Sequence, residues 1–531
     1  MKRFIFICMM AMLLGPAAAA DEDMASEAAD ISPVTAERAP PRYADMTAMA
    51  ARLSGWTPEA VADVAGILFE VPADGLPNQD ALAEALLDGA RPFDRRAGLA
   101  AQALLRLAGW LEFGLIDQDT LELRRLGEDE AAMLVRRLQA ALETGRIRAA
   151  IDESRPQVRD YDILRAEMLR VLALRPIWPH IDSGASLGPG DAGVRVDQLR
   201  ARLSAEGLLS HDWREGQAYD TRLATAVRRY QGRVNLSPTG RLDQITLRQL
   251  NISPEQRIAQ LRANLEQRRW RTRQLGYRHI WVNLADFRLE AWEDGQLARE
   301  HQVMIGGQAS STPEFSEEMQ YIVLNPWWGL PSGSARPRFQ SIRRNPRIVN
   351  DRGFRIFDRS GQAVSVWEVD WSRWGRDWPY RLSQPPGPTN PMGEVKFIFP
   401  NRYNVYIHDT IERDRFVRTR RDFSAGCIRV RDPLALASWV LEGQADWSRD
   451  RIDAVVAGNT PTVVWLDRRI PVHIAYWTVV GDSDGQVRYL HDLYRRDGRV
   501  IDAYSSAFQR ISAEPAGFGS DLSGRVVSMR H

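Results

Sequence analysis

The sequence predicts a multi-domain α+β protein, in which a helical scaffold and a small three-helix unit precede a mainly β domain. Three observations support this prediction. Apolar residues recur at three- and four-residue spacings through the first third of the chain, as they do on buried helix faces. Three further short helical patterns follow, separated by glycine-containing turns. From Arg278 onward, short alternating strand patterns replace the helical ones.

Length and composition agree with several folded domains. The chain has 531 residues, of which 44% are hydrophobic, and this length suits roughly three domains of ordinary size. Its 70 basic and 69 acidic residues give a formal net charge of +1. A nucleic-acid-binding protein usually carries a strongly basic face, so no nucleic-acid partner is expected.

The first residues have the three parts of a secretory signal. Residues 1–20 begin with basic side chains, continue with an apolar run over residues 4–14, and end in small residues at Ala20. Cleavage before Asp21 is expected, because the apolar run is short for a membrane span. Residues 21–42 are rich in Ala, Asp, Glu and Pro and are predicted to be a disordered leader.

Two helical regions follow the leader. Residues 43–186 are predicted to form a scaffold, with no polar constellation that requires chemistry. Residues 187–253 are predicted to form the three-helix unit, in which Asp220 caps the second helix and a turn at Gly240 starts the third. Apolar sets at helical spacing are Leu82, Ala85 and Leu86; Leu104, Leu105 and Ala108; Leu134, Leu138 and Leu142; and Val196, Leu199 and Leu203.

The mainly β domain is predicted over residues 278–456. An insertion at about residues 331–391, rich in Arg, Pro, Gly and Trp, is expected to be a flap or subdomain over a groove. Residues 457–502 are predicted to be strands that close this domain, and residues 503–531 a disordered tail. Four tryptophans are expected to form the core of the insertion, with substrate stacking as the alternative: Trp367, Trp371, Trp374 and Trp378.

The residue that decides the chemistry is Cys427. The only other cysteine is Cys8, inside the predicted signal, so the exported chain would have one thiol and no internal disulfide. A cysteine is most often a small buried hydrophobe. Here Ser424 and Gly426 surround it, and His408 precedes it by 19 residues at the end of an apolar strand pattern. These neighbours favour a reactive thiol.

A catalytic thiol needs a base or a positive field. His408 is the candidate base. Seven arginines and only three acidic residues lie between Ile411 and Arg431, and this excess is expected to favour the thiolate and to attract carboxylates. Arg429 is the arginine that we place in the site. The backbone N–H groups around Gly426 and Cys427 are candidates for an oxyanion hole, and no metal or cofactor is required.

These motifs resemble the L,D-transpeptidase signature, in which an H-x-T histidine is followed by S-H-G-C-[IV]-[RN]. His408 and residues 423–430 carry that resemblance, with Ala425 where many members have His. Residues 187–253 resemble the peptidoglycan-binding domain. Over roughly residues 155–500 the chain is most similar to the large periplasmic L,D-transpeptidases of Gram-negative bacteria. Further matching segments are residues 325–328, 393–402 and 471–477.

The resemblance implies a thioester mechanism on peptidoglycan. Cys427 would attack the third residue of a tetrapeptide stem and expel the terminal D-Ala, while His408, held by the backbone carbonyl of Asp409, moves the proton. An amine of a neighbouring stem would then form a cross-link between third residues. The implied partners are stem peptides, glycan and other cell-wall synthesis enzymes, and the implied location is the periplasm. The candidate substrate contacts are Arg429, Tyr406, Ser424 and Trp328.

Four alternatives stay open. The same site could use water as acceptor and act as an L,D-carboxypeptidase, or it could attach a lipoprotein to the wall. A cysteine peptidase would use the same residue types, but usually places its cysteine before its histidine, whereas His408 precedes Cys427. A non-catalytic peptidoglycan-binding scaffold is favoured if the insertion seals the groove or if Ala425 disables the site.

Overall fold

The computed structural model describes residues 43–210, 212, 215–271, 275–330, 342, 344–371, 379–482 and 484–513. The predicted signal and leader, Trp374, Trp378 and the end of the predicted tail lie outside these residues. Within the described ranges, no helix is both long enough and apolar enough to cross a bilayer.

The N-terminal region is helical, and the apolar faces of its first six helices meet in one core. The seventh helix, Tyr161–Leu174, buries its apolar residues in the core that it shares with the following helices, so the scaffold predicted over residues 43–186 is divided between two cores. Asp45 and Thr57 cap its first two helices by accepting hydrogen bonds from backbone N–H groups. The predicted apolar sets of this region lie in its core, where Leu104, Leu134 and Leu138 are fully buried. The helices are α1 Met46–Ala50, α2 Pro58–Glu70, α3 Asp80–Leu87, α4 Phe93–Phe113, α5 Glu128–Glu143, α6 Ile147–Ser154 and α7 Tyr161–Leu174.

Four helices continue the chain: α8 Val194–Ala205, α9 Thr221–Arg233, α10 Gln244–Leu250 and α11 Pro254–Arg269. Asp220 and Asp243 cap α9 and α10 through their side chains. The sequence analysis left α11 unassigned, yet it joins the parts of the molecule. Its Arg268 is buried and pairs with Asp160, and it also donates a 2.8 Å hydrogen bond to the carbonyl of Val479.

Eight strands close a barrel in the order β1-β12-β4-β9-β10-β11-β3-β2. The buried apolar residues of these strands form a second core, whereas Leu297, Val463 and Trp465 are exposed. The strands are β1 Arg278–Asn283, β2 Arg288–Glu293, β3 Gln296–Met304, β4 Phe315–Leu324, β9 Val395–Ile398, β10 Ile407–His408, β11 Ile428–Val430 and β12 Thr462–Ala475. Helices α13 Pro433–Val440 and α14 Arg449–Ala457 connect β11 to β12.

Between β4 and β9 the chain forms a second, four-stranded sheet in the order β5-β8-β6-β7. Its strands are β5 Trp328–Gly329, β6 Arg355–Phe357, β7 Ala363–Val364 and β8 Arg381–Gln384, with helix α12 Arg347–Asp351 beside them. Trp371 is buried in a small core with Val349 and Leu382. Trp367 is 65% exposed, so its predicted place in that core is wrong. Its ring instead lies under the guanidinium of Arg347, on the solvent side.

The prediction for residues 457–502 is wrong in part. Strand β12 belongs to the barrel, as expected, because it pairs with β1 and β4. Strands β13 Val479–Gly481 and β14 Val487–Tyr489 form a separate two-stranded sheet. Their side chains Val479, Val487 and Tyr489 are buried in the core shared by α7 to α11, so these strands attach the barrel to the helices and do not close it.

The prediction of a disordered tail is wrong for residues 503–513. Helix α15 spans Asp497–Ala513 and buries Tyr504, Ala507 and Ile511 against the N-terminal scaffold. The hydroxyl of Tyr504 donates a 3.1 Å hydrogen bond to the carbonyl of Gly75. These three residues stand at helical spacing, but the polar residues between them concealed the pattern.

We expect Tyr504→Ala to lower the free energy of unfolding of the helical scaffold by about 3 kcal/mol, because it leaves a cavity in a tight core. Tyr504→Phe removes only the hydroxyl and should cost about 1 kcal/mol. Hydrogen exchange of the α4 amides measures both effects. If the α4 amides exchange equally slowly in Tyr504→Ala and in the unmodified protein, this result would contradict the packing of α15 against the scaffold.

Candidate active site

Strand register places the candidate residues on the outer face of the barrel. Ile407 of β10 pairs with Ile428 of β11 in parallel, and both side chains are buried in the barrel interior. Because side chains alternate along a strand, their neighbours Tyr406, His408 and Cys427 point outward. Arg429, the register partner of His408, lies on the same outer face. The structure therefore brings together four residues that the sequence analysis selected.

Ser424 and Gly426 give the loop before Cys427 its shape. The Ser424 hydroxyl donates a hydrogen bond to the carbonyl of Cys427, and it accepts one from the Gly426 N–H at 3.1 Å. Gly426 has φ +128°, a backbone conformation that side chains rarely adopt. Both residues hold the loop, and the Gly426 N–H is already used.

The two predicted oxyanion-hole donors differ in their hydrogen bonding. Among the described residues the Cys427 N–H has no hydrogen-bond acceptor, whereas the Gly426 N–H is bonded to Ser424. Of the two predicted donors, Cys427 alone is therefore free to face a developing negative charge.

The thiol of Cys427 is half-buried and points toward the carbonyl oxygen of Asn404, at 3.8 Å. Burial raises its pKa, while contacts with Tyr406 and the charges of Lys396 and Arg429 act in the opposite direction. The net direction is upward, contrary to the expectation that the arginine-rich segment favours the thiolate. The described contacts include no hydrogen bond from this thiol to His408.

His408 is 2% exposed, and its burial lowers its pKa to about 3, with the charges of Arg429 and Lys396 acting in the same direction. Backbone groups of Asp409 and Met392 act to raise the pKa, although they make no well-aligned hydrogen bond to Nδ1. The imidazole is therefore neutral at physiological pH, which is the form that accepts a proton.

Ion pairs explain why the arginine-rich segment does not leave the thiol ionised. Arg429 pairs with Glu412, and Arg413 pairs with Asp409 at 2.9 Å. The remaining pairs in this segment are Arg415 with Glu412, Arg420 with Asp422 and Arg431 with Asp432. Their charges are compensated locally, so desolvation dominates at Cys427.

Lys396 is a site residue that sequence reasoning missed. It is the register partner of His408 on β9, and its Nζ lies 4.1 Å from the centre of the Tyr406 ring. The Tyr406 ring is in turn 5.5 Å from the His408 ring. The signal was available, because Lys396 alternates with Val395 and Phe397 in a strand pattern that turns every second side chain outward.

Two other predicted residues, Asp409 and Trp328, make their described side-chain contacts with residues other than Cys427 and His408. The Asp409 carboxylate is buried and accepts hydrogen bonds from the Glu394 N–H and from Arg413, both at 2.9 Å. Trp328 lies in the second sheet, where its ring packs 5.5 Å from that of Phe354. The described contacts do not join Trp328 to Cys427. Across the described ranges, no three His, Cys, Asp or Glu side chains are grouped so that they could hold a metal ion.

Comparison with known families agrees with this geometry. Residues 277–464 match the family model described as "L,D-transpeptidase catalytic domain". This part of the chain, about a third of its length, is thus similar to the L,D-transpeptidase catalytic domain. Residues 192–250 match a second model, described as "Putative peptidoglycan binding domain". The resemblance predicted from the sequence is confirmed for both domains, as is the coarse multi-domain α+β architecture.

One curated relative of the L,D-transpeptidase domain comes from Haemophilus influenzae and is described as "Putative L,D-transpeptidase". It is 29% identical over 222 residues, which cover 42% of this chain and 45% of that protein. The chain thus spans less than half of that relative's length.

Two crystal structures of L,D-transpeptidases also align with the chain. That from Xylanimonas cellulosilytica is 14% identical and covers 55% of this chain and 98% of its own, with a TM-score of 0.18. That from Stackebrandtia nassauensis is 12% identical and covers 58% and 99%, with a TM-score of 0.19. At TM-scores this low, the likenesses carry no structural argument.

We expect alkylation of Cys427 by iodoacetamide to rise with pH around a midpoint above that of free cysteine, about 8.5, because burial raises the thiol pKa. No second inflection is expected between pH 5 and 7, since His408 stays neutral down to about pH 3. Lys396→Met should move the midpoint higher, because the lysine charge lowers the thiol pKa.

An inflection between pH 5 and 7 that disappears in His408→Gln would contradict this expectation. It would mean that the resting site holds a thiolate and an imidazolium.

Proposed function

We propose that this protein is a cysteine acyltransferase that cross-links peptidoglycan stems. The observation that carries the proposal is the shared outer face of the barrel, where register brings Cys427, His408, Tyr406 and Arg429 together beside Lys396. The match of the surrounding residues to the L,D-transpeptidase catalytic domain gives this face its reaction class.

In the proposed first step, neutral His408 takes the proton of the Cys427 thiol, and the sulfur attacks the carbonyl carbon of the third stem residue. The unpaired Cys427 N–H faces the developing oxyanion. Collapse of the tetrahedral intermediate breaks the bond to the terminal D-Ala, which leaves with the proton from His408. A thioester with Cys427 remains.

In the second step, the side-chain amine of a neighbouring stem attacks the thioester, and His408 takes the amine proton and returns it to the sulfur. The product is an amide cross-link between third residues, and the thiol is restored. The ammonium group of Lys396 on the same face favours the carboxylates that stem peptides carry, and a substrate carboxylate would compete with Glu412 for Arg429. Tyr406, which packs against Lys396, is the proposed side wall.

Ala425 is compatible with this chemistry. Its side chain is exposed, and the loop is held by the Ser424 hydroxyl and not by residue 425. A histidine is therefore not required there to shape the nucleophile loop. The base of the proposed reaction, His408, is on another strand.

The other domains fit a wall-directed enzyme. The domain at residues 192–250 would hold the polymer, and the signal-like residues 1–20 would direct the chain to the periplasm. We propose the second sheet, β5 to β8, as a cover over the substrate groove. Asn390 anchors its base, because its side chain donates to the carbonyls of Pro326 and Gln384 and accepts from the Met392 N–H.

Incubation of the purified protein with disaccharide tetrapeptides, followed by mass spectrometry, tests the proposal. We expect cross-linked dimers and free D-Ala from the unmodified protein. Cys427→Ala and His408→Gln should each lower the rate by about 10⁴-fold or more, since nucleophile and base act as a unit. Ala425→His, at an exposed position, should change the rate by less than about threefold.

The products separate the alternatives. Trimmed tripeptides without dimers would replace the transferase by a carboxypeptidase. A linked product that forms only with a lipoprotein amine would replace stem cross-linking by wall attachment. Full activity of Cys427→Ala, or inactivity of the unmodified protein toward every acceptor, would sink the acyltransfer proposal and favour a binding scaffold.

A further inference from the structure

The nucleophile loop is held from behind by a cluster that lies outside the catalytic motif. We name this cluster the clamp and define it as Thr312, Tyr494 and Arg496. Thr312 lies between β3 and β4, whereas Tyr494 and Arg496 come from the segment before α15. None of the three belongs to the signature around Cys427.

Thr312 is the centre of the clamp, and it is fully buried. Its hydroxyl donates a 2.8 Å hydrogen bond to the carbonyl of Gly426, and it accepts a 2.9 Å bond from the Gly306 N–H. One side chain thus joins the backbone of the nucleophile loop to the backbone of the turn after β3. The Gly426 carbonyl and the Cys427 N–H belong to the same peptide group.

The turn after β3 presses against the nucleophile loop. A Cβ atom at Gly306 would lie 3.0 Å from the Cα of Gly426 and 2.0 Å from the carbonyl oxygen of Ser310. Gly306 also forms a bridge with Ser424, whose N–H donates to the Ile305 carbonyl at 2.9 Å. The two backbones are in direct contact, so a shift of the turn moves the loop.

Tyr494 and Arg496 fix Thr312 and Gly306 in turn. The Tyr494 hydroxyl donates a 2.6 Å hydrogen bond to the Gly306 carbonyl and accepts a 3.3 Å bond from the Thr312 N–H. Arg496 donates at 2.8 Å to the Thr312 carbonyl and forms an ion pair with Glu314 at 3.0 Å. Every backbone polar group of Thr312 is therefore bound by the C-terminal segment.

That segment is itself held rigidly. The Tyr476 hydroxyl donates to Asp492 and accepts from the Tyr494 N–H, both at 2.8 Å. The rings of Tyr476 and Tyr494 stack at 5.2 Å, and the guanidinium of Arg496 lies over both. Burial raises the pKa of both tyrosines, so their hydroxyls stay protonated and can donate.

We propose that Thr312 and Tyr494 are positioning residues, which orient the peptide between Gly426 and Cys427 so that the Cys427 N–H faces the oxyanion of the acyl-transfer reaction. This inference rests on the proposed function. The oxyanion forms only during the reaction, so loss of the clamp slows turnover and leaves the binding of substrate unchanged.

The test compares Thr312→Val, which removes the hydroxyl and keeps the size, with Thr312→Ser, which restores it. Thr312→Val should lower kcat by about tenfold with little change in KM, because a misplaced donor weakens the transition state alone. Thr312→Ser should stay within about twofold of the unmodified protein. Ser310→Ala is the matched control, since Ser310 makes only a 3.3 Å bond to the Ser424 carbonyl in the same turn.

Hydrogen exchange of residues 424–428 gives a second readout that needs no turnover. Exchange should be faster in Thr312→Val, and in Tyr494→Phe if Thr312→Val does not fold. Folded Thr312→Val with unchanged kcat, or a kcat loss that Thr312→Ser does not restore, would overturn the inference. If the unmodified protein shows no transfer, the proposed function fails. Unchanged hydrogen exchange of residues 424–428 in both variants would overturn the positioning role of the clamp, whatever the outcome of the activity test.

Discussion

The parallel pairing of β10 with β11 is the constraint on which the site depends. Ile407 and Ile428 are register partners, and both are fully buried in the barrel. A slip of one residue in either strand would turn a polar or catalytic side chain into the core and expose an isoleucine. The same hydrophobic burial that closes the barrel therefore fixes which side chains share the outer face with Cys427.

This constraint also explains the electrostatics of the site. The outer face is covered well enough that His408 is nearly inaccessible, so desolvation, and not the nearby arginines, sets the protonation of the base and of the thiol. Both groups rest in their neutral forms. The resting site therefore holds a neutral thiol beside a neutral imidazole, and the nearby charges of Arg413 and Arg429 are paired with Asp409 and Glu412.

The sequence predicted what depends on local patterns. The spacing of Leu134 and Leu138 predicted a buried helix face, which the structure has. The residues around Cys427 led to the prediction of a nucleophile and of His408 as its base, and strand pairing brings the two residues to one face. Lys396 could have been found from strand alternation. The clamp could not, since Thr312 and Tyr494 are 182 residues apart and nothing in either local pattern indicates the other. Helix α15 was missed because polar residues separate its buried residues Tyr504, Ala507 and Ile511. The segment taken by itself therefore has the composition of a disordered tail.

The hydrogen bond from Tyr504 to Gly75 joins residues 429 positions apart. The core of the N-terminal scaffold is thus completed by the last described helix, and the barrel is formed from residues between the two. Contacts between residues so far apart in sequence form slowly, because the entropy of closing the intervening loop is lost before the contact stabilises the fold. Folding of the scaffold is therefore complete only after the chain has been synthesised through Tyr504 and the following turns of α15. A chain interrupted before Tyr504 would expose the apolar scaffold surface that α15 covers, and this surface would make the chain a substrate for quality-control proteases.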